Sequence, residues 1–343
     1  MPNRTIDVRD GRALLDIFSY GRSGPGRRDR LSIAEIECVR RTVSRAPEVM
    51  VKVLSRGGQN LAALRRHVDY LSRRGQLEIE TDGGERLQGK EAQRKLLDDW
   101  DLDLEDRRQR SDLSIPNGRR APKLVHKLLF SMPPGTPPDK VLAAVRDFAR
   151  QEFALKHRYA MVLHTDEPHP HVHMVVKAVN ERGERLNIRK HVLRHWRAEF
   201  ARHLRAHGVA ANATERVIRG VTRPRKLDGI YRATLRGEST HMRDRVESVI
   251  ADLSSGSVRA ERGKADMLET RRSVERGWRA IGQLLAADGY RELADRVAHF
   301  VRRMPPVRSE REWLSADVLE QAQRRPVPEP SSPSSRLPTE KSR

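Results

Sequence analysis

The sequence predicts an α+β fold, a central antiparallel sheet covered by helices, followed by a mainly helical C-terminal region. Three observations carry the prediction. Between about residues 47 and 215, short apolar runs of strand length are interleaved with stripes of helical period. Several of the strand-like runs are joined by hairpin turn chemistry, which makes neighbouring strands antiparallel. Beyond about residue 232 the pattern is almost wholly helical.

In chain order, residues 1–46 read as a basic N-terminal extension. It holds a Gly/Arg-rich loop at 21–28 and a helix from Ser32 to Ser44, in which Ile33, Ile36 and Val39 recur periodically and Cys38 packs beside them. Val49 to Leu54 is a short buried strand, broken by the stretch from Ser55 to Gly58. The next helix spans 60–74, with Leu61, Leu64, Val68 and Leu71 as its core stripe, Asn60 as cap and Gly75 as terminator. Leu77 to Leu87 forms a small hairpin turned at Asp82, Gly83 and Gly84, and a helix near Lys90 to Trp100 follows. Residues 101–122, charged and punctuated by Pro, Asn and Gly, read as a surface loop. A strand from Val125 to Met132 leads through a proline turn into a helix marked by Val141, Leu142, Val145, Phe148 and Ala149 and running to about Phe153. Strands over Tyr159–Leu163 and 171–179 come next, then a turn at Asn180–Glu184 and a short strand at Arg185–Ile188. A helix striped by Leu193, Trp196, Phe200 and Leu204 is closed by Gly208. The resulting division is an extension (1–46), an α+β domain (47–215), a helical region (216–325) and a Pro/Ser-rich, disordered tail (326–343).

Composition narrows the function. The chain has 343 residues and a formal net charge of +21, an excess that calls for a polyanionic partner, nucleic acid before membrane. It contains no apolar run of about 18 residues that would span a bilayer, and its N-terminus lacks a signal-peptide core. A single cysteine excludes intramolecular disulfides and cysteine-rich zinc sites, which fits a reducing cytoplasm. Aromatic residues make up only 4%, so base stacking is a poor candidate for the main binding mode.

The densest chemistry lies between His164 and His173, where His164, Asp166, Glu167, His169, His171 and His173 fall within ten residues. Neutral imidazole and carboxylate bind divalent metal at neutral pH. Alternation along a strand puts His171 and His173 on one face, and the hairpin returns His164 beside them. Three such imidazoles leave metal positions open, as catalytic sites require. His169 shares the parity but sits in the turn beside Pro170, where it can face DNA or solvent. Asp166 and Glu167 are ligands, partners that orient an imidazole, or turn residues, with orientation of an imidazole favoured for Asp166.

Tyr70 is the second informative residue. At about 100° per residue it lies opposite Leu61, off the core stripe, with Arg66, Arg73 and Arg74 neighbouring it on the helix surface. A hydroxyl among arginines stands where a phosphate would sit. A metal on His164, His171 and His173 would polarise a scissile phosphodiester, Tyr70 would attack in line, and the arginines would bind phosphates bidentately.

These residues also resemble a known family. The stretch His164–Val176 is similar to the third motif of conjugative relaxases, within the His-hydrophobe-His endonucleases. Val68 to Glu78 resembles the first motif of the VirD-like plasmid mobilisation branch, and Leu129 to Thr136 the segment between. The tyrosine precedes the histidine motif, which is the relaxase order. The resemblance implies Tyr70 as nucleophile, His164, His171 and His173 as ligands of Mg²⁺ or Mn²⁺, and Asp166 as a group that orients a ligand or takes the tyrosine proton. It further implies nicking of one DNA strand at an origin of transfer, a phosphotyrosine intermediate, relaxosome accessory proteins and a type IV secretion coupling protein as partners. Cytoplasmic action in the donor follows, with passage of the protein into the recipient alongside the strand. The extension before Tyr70 is longer than the family pattern leads one to expect. Two other classes remain open on the residues alone: a hydrolase whose histidines activate water, and a non-catalytic DNA-binding mobilisation accessory protein holding a structural metal.

Overall fold

A computed structural model of the chain describes residues 5–6, 17, 30–54, 60–111, 122–222, 233–234, 236–256, 261 and 263–324. The expected Gly/Arg-rich loop, the break after Leu54 and the Pro/Ser-rich tail lie outside the described residues. The chain divides into two compact units, Met1–Glu215 with Arg276–Arg303, and Arg216–Glu275 with Met304–Arg343.

The first unit is built on strands β1 (Thr5–Ile6), β2 (Met50–Leu54), β3 (Ile79–Thr81), β4 (Arg86–Leu87), β5 (Val125–Ser131), β6 (Tyr159–His164), β7 (His171–Lys177) and β8 (Arg185–Leu186). Six of them form one sheet in the order β2-β5-β7-β6-β3-β4, antiparallel throughout, while β1 pairs in parallel with β8. The expected central antiparallel sheet is therefore present, and its two middle strands are those that carry the histidines.

The helices are α1 (Ile33–Val43), α2 (Leu61–Leu71), α3 (Ala92–Asp99), α4 (Leu102–Ser111), α5 (Pro138–Phe153) and α6 (Lys190–Ala206). Ser32 and Glu35 close a reciprocal capping box at the start of α1, satisfying two otherwise orphaned N–H groups. Asn60 caps α2 by accepting from the Ala63 N–H. Residues 101–111 depart from the loop expectation. From Leu102 onward they form α4, with Leu102 and Asp106 turned inward one helical turn apart, Asp103 and Glu105 half-buried and Leu104 exposed between them. The second departure is at the end of α2, which stops at Leu71 with Ser72 as its cap. Arg73 and Arg74 take left-handed backbone at φ 52° and 58°, so they leave the helix surface on which the sequence puts them.

Each face of the sheet has its own core. On one face Phe130, Met161, Val172 and Met174 pack beneath α5 and α6, and the rings of Phe130, Phe148, Phe153, Trp196 and Phe200 meet tilted or edge-on with centroids 4.9–6.1 Å apart. Each fully buried ring contributes about 1.5–3 kcal/mol through burial alone. Glu80 on β3 pins α5 from the same side by accepting two bonds from Arg146, at 2.6 and 2.7 Å. The opposite face is partly covered as well. Leu64, Val68 and Leu71 of α2, with Leu96 of α3 and Trp100, pack over Ala160, Val162 and Val175. Directly opposed residues of antiparallel strands share a face, so the register places His164, His171 and His173 on this second face, beside that core.

The C-terminal helices are α7 (Thr240–Ser255), α8 (Lys264–Ala287), α9 (Arg291–Arg302) and α10 (Glu310–Arg324), so the C-terminal region is helical as expected. In the second unit α10 packs along α7, where Arg311 pairs with Asp252 and donates to the Ser248 carbonyl at 3.0 Å. In the first unit Trp278 meets Phe300 edge-on at 5.2 Å. Among the described residues no helix is long and apolar enough to cross a membrane.

Candidate active site

The hairpin between β6 and β7 sets His164 directly across from His171, and strand parity brings His173 to the same face. The three ring centroids lie 4.8–5.2 Å apart, and one ligating atom from each ring can be chosen so that all lie within 4.8 Å of one another. All three residues are buried.

Hydrogen bonds determine which nitrogen each ring leaves available. A carbonyl can only accept, so His171 donates from Nδ1 to the His169 carbonyl at 2.9 Å and keeps Nε2 free. By the same logic His164 donates from Nε2 to the Leu71 carbonyl at 2.8 Å and keeps Nδ1. His173 Nδ1 is buried and has no partner among the described residues, a cost of about 1–3 kcal/mol unless a ligand completes it. Burial, joined by the neighbouring imidazoles, holds His173 down at about 3. Burial also lowers His164, reinforced by the Arg73 guanidinium and opposed by the Leu71 hydrogen bond. Both rings are thus kept neutral, the form that ligates metal.

Tyr70 lies on α2, over the same face of the sheet. It is 54% exposed, as its position off the core stripe predicts. Two contacts tie it to the imidazoles. Its ring stacks on His67 with centroids 6.5 Å apart, and His67 meets His173 edge-on at 6.4 Å. On the other side of the sequence, the Arg73 guanidinium carbon lies 4.9 Å from the Tyr70 ring centroid. Arg73 also lies 3.3 Å from His164 Nδ1 and pairs with Asp166, and Tyr70 is the first among the groups that raise its pKa.

The remaining expected residues fall into two sets. Asp166 joins the cluster, 4.0 Å from His164 Nδ1. Glu167 and the His169 side chain are exposed in the turn, and only the His169 backbone carbonyl serves the imidazoles. Arg66 and Arg74 are exposed, and neither makes a side-chain ion pair among the described residues. Arg73 is turned inward, because the left-handed turn after Leu71 directs it back over Tyr70.

Two residues were not anticipated. His67 stands one helical turn before Tyr70, a spacing that could have flagged it. Burial and Lys127 lower its pKa to about 4. Lys127 itself is buried on the histidine face, and burial lowers it to about 8. Its place follows from the pairing of β5 with β7, which local periodicity does not reveal.

The antiparallel sheet thus carries His171-Val172-His173 on one central strand and a third imidazole, His164, directly across on its neighbour. Residues 84–209 match the family model described as "Relaxase: MobA/VirD2-like, nuclease domain". It is similar to the T-DNA border endonuclease VirD2 of Agrobacterium fabrum strain C58, 27% identical over 214 residues covering 57% of this chain and 46% of that protein. VirD2 of Rhizobium rhizogenes is 27% identical over 192 residues, covering 51% and 42%. The chain thus spans a little under half the length of these curated relatives. Among solved structures it resembles the manganese-bound MobM relaxase domain on a 22-nucleotide oriT DNA of plasmid pMV158. That likeness has 13% identity and a TM-score of 0.35, and covers 55% of this chain and 99% of that one.

Proposed function

We propose that the chain is a DNA relaxase that cuts one strand at an origin of transfer by tyrosine transesterification, and rejoins it after transfer. The observation that supports this best is the link between Tyr70 and the three-imidazole cluster, through His67 on one side and Arg73 on the other.

His164, His171 and His173 fit a divalent cation, Mg²⁺ or Mn²⁺: burial favours the neutral form of His164 and His173, the nitrogens of the three rings converge, and one buried nitrogen lacks a partner among the described residues. Such an ion supplies positive charge to the non-bridging oxygens of a bound phosphodiester. The chain's own groups do the rest. The Tyr70 oxygen attacks phosphorus in line and forms a P–O bond, while the bond from phosphorus to the 3′ oxygen breaks. The phenolic proton passes to Asp166, and the departing 3′ oxygen takes up a proton from solvent water and is released as a hydroxyl. The products are a 5′-phosphotyrosine and a free 3′ end. One phosphoester replaces another, so the reverse attack reseals the strand without ATP. Arg66 and Arg74 hold flanking phosphates, consistent with the net charge of +21. Accessory relaxosome proteins and a type IV coupling protein are the proposed partners of the C-terminal helices, with cytoplasmic assembly before translocation. Deletion of those helices should abolish transfer while nicking persists.

The deciding experiment incubates the chain with Mn²⁺ and a single-stranded oligonucleotide bearing the nick site, then maps the adduct by peptide mass spectrometry. A nucleotide on Tyr70, absent from Tyr70→Phe, is the expected result. Full cleavage by Tyr70→Phe would assign the reaction to activated water, and no cleavage by the wild type would leave a binding protein.

A further inference from the structure

We propose that Arg73 is the resident cation of the site, seated where a divalent ion must act and displaced by it toward the substrate phosphate. The inference rests on the reading that His164, His171 and His173 bind such an ion.

His164 has one nitrogen to offer, because Nε2 is committed to the Leu71 carbonyl at 2.8 Å. That remaining nitrogen, Nδ1, lies 3.3 Å from the Arg73 guanidinium, whose planar fork also pairs with Asp166. The lone pair that would hold a metal therefore already accepts from a cation. A divalent ion bound there and a guanidinium at that distance repel one another, so both cannot keep these positions. The backbone is committed to this arrangement. Arg73 holds φ at 52°, a conformation that costs a non-glycine residue free energy and that turns its side chain back into the site. The same side chain covers the Tyr70 ring at 4.9 Å. Release of Arg73 would uncover the nucleophile and provide a planar bidentate donor beside the place a phosphate occupies. Metal entry, exposure of Tyr70 and phosphate binding become one linked event, and linkage requires that removing the guanidinium strengthen metal binding.

Calorimetric titration of the full chain with Mn²⁺ alone tests this without reference to catalysis. Arg73→Gln and Arg73→Met should each bind Mn²⁺ about tenfold more tightly than the wild type, with Arg73→Lys in between. In parallel, Mn²⁺ should tighten oligonucleotide binding to the wild type by a larger factor than to Arg73→Gln. The second neutral variant guards against a fold defect particular to one substitution. Equal or weaker Mn²⁺ binding by both neutral variants overturns the role of Arg73 and leaves the metal reading standing. Absence of Mn²⁺ binding in the wild type and every variant overturns the metal reading and the role of Arg73 with it.

Discussion

The carbonyl of Leu71, the residue that follows Tyr70, accepts a hydrogen bond from His164 Nε2 at 2.8 Å. The last turn of the tyrosine helix is thereby fastened to a candidate metal ligand, so the two halves of the site cannot drift apart independently. His164 is 1% exposed, and its replacement by alanine strands that carbonyl in a buried place as well as removing a ring. In metal-free buffer His164→Ala should cost about 2–4 kcal/mol, combining the unpaired acceptor with lost packing. His171→Ala should cost less, because its carbonyl partner belongs to an exposed turn residue. Urea unfolding in EDTA measures both, and equal costs would show that the Leu71 bond holds nothing.

The turn that aims Arg73 depends on Gly75. Its φ is 84°, and a Cβ added there would come 2.5 Å from the carbonyl carbon of Gly89, whose N–H donates back to the Gly75 carbonyl at 3.0 Å. Backbone cannot move aside as a flexible side chain can. Gly75→Ala should therefore lose about 2–4 kcal/mol, the sum of left-handed strain and overlap. Gly84→Ala is the control, with φ 82° and nothing within 4 Å of an added Cβ. It should lose only about 1 kcal/mol. Similar midpoints for the two variants in chemical denaturation would remove the steric argument.

Much of this site was legible from local pattern. Alternation alone predicts that His171 and His173 share a face, and the Asp166–Pro170 turn predicts that His164 faces them. The helical stripe through Leu64, Val68 and Leu71 predicts that Tyr70 looks away from the core. What local pattern could not supply was non-local pairing. The sheet order, which buries Lys127 beside the histidines, depends on strands far apart in the chain. The helix α2 ends at Leu71, three residues before the end its sequence predicts. Arginine is a good helix former, and nothing in its propensity announces the left-handed turn at Arg73 and Arg74. Charge likewise concealed α4, a run rich in acidic and basic residues in which Leu102 and Asp106 turn inward.

Acid should destabilise the metal-free protein well above the carboxylate range. Burial, aided by Lys123, lowers His126 to about 4 against the opposing Leu186 hydrogen bond, and burial also lowers His157. In the unfolded chain an imidazole takes up its proton near pH 6.5, whereas the folded protein resists until near pH 4. Between those values the unfolded state binds more protons, so the stabilisation is complete above about pH 6.5 and is lost as pH falls toward 4. His126 should account for roughly 1–3 kcal/mol of that loss. Urea midpoints in EDTA at a series of pH values should fall through this window, more shallowly in His126→Phe. A wild-type midpoint that does not change across it would contradict the burial argument.

Metal should reverse much of the cost of collecting three buried imidazoles. An ion that binds only the folded chain stabilises it by RT ln(1 + [L]/Kd), about 2.7 kcal/mol at a hundredfold excess over Kd. Mn²⁺ should accordingly raise the melting temperature by several degrees, and EDTA should restore the original value. Burial already lowers His164 and holds His173 down at about 3, so these two rings are neutral at pH 7. Little proton release need accompany binding there, so the shift should be nearly constant from pH 7 to 8. His173→Ala, which removes the ring with the unpartnered buried nitrogen, should abolish the shift. His169→Ala should leave it intact, since only the backbone of His169 touches the cluster. A full Mn²⁺ response in His173→Ala would place the ion elsewhere on the molecule, and its loss in His169→Ala would make the turn histidine a ligand after all.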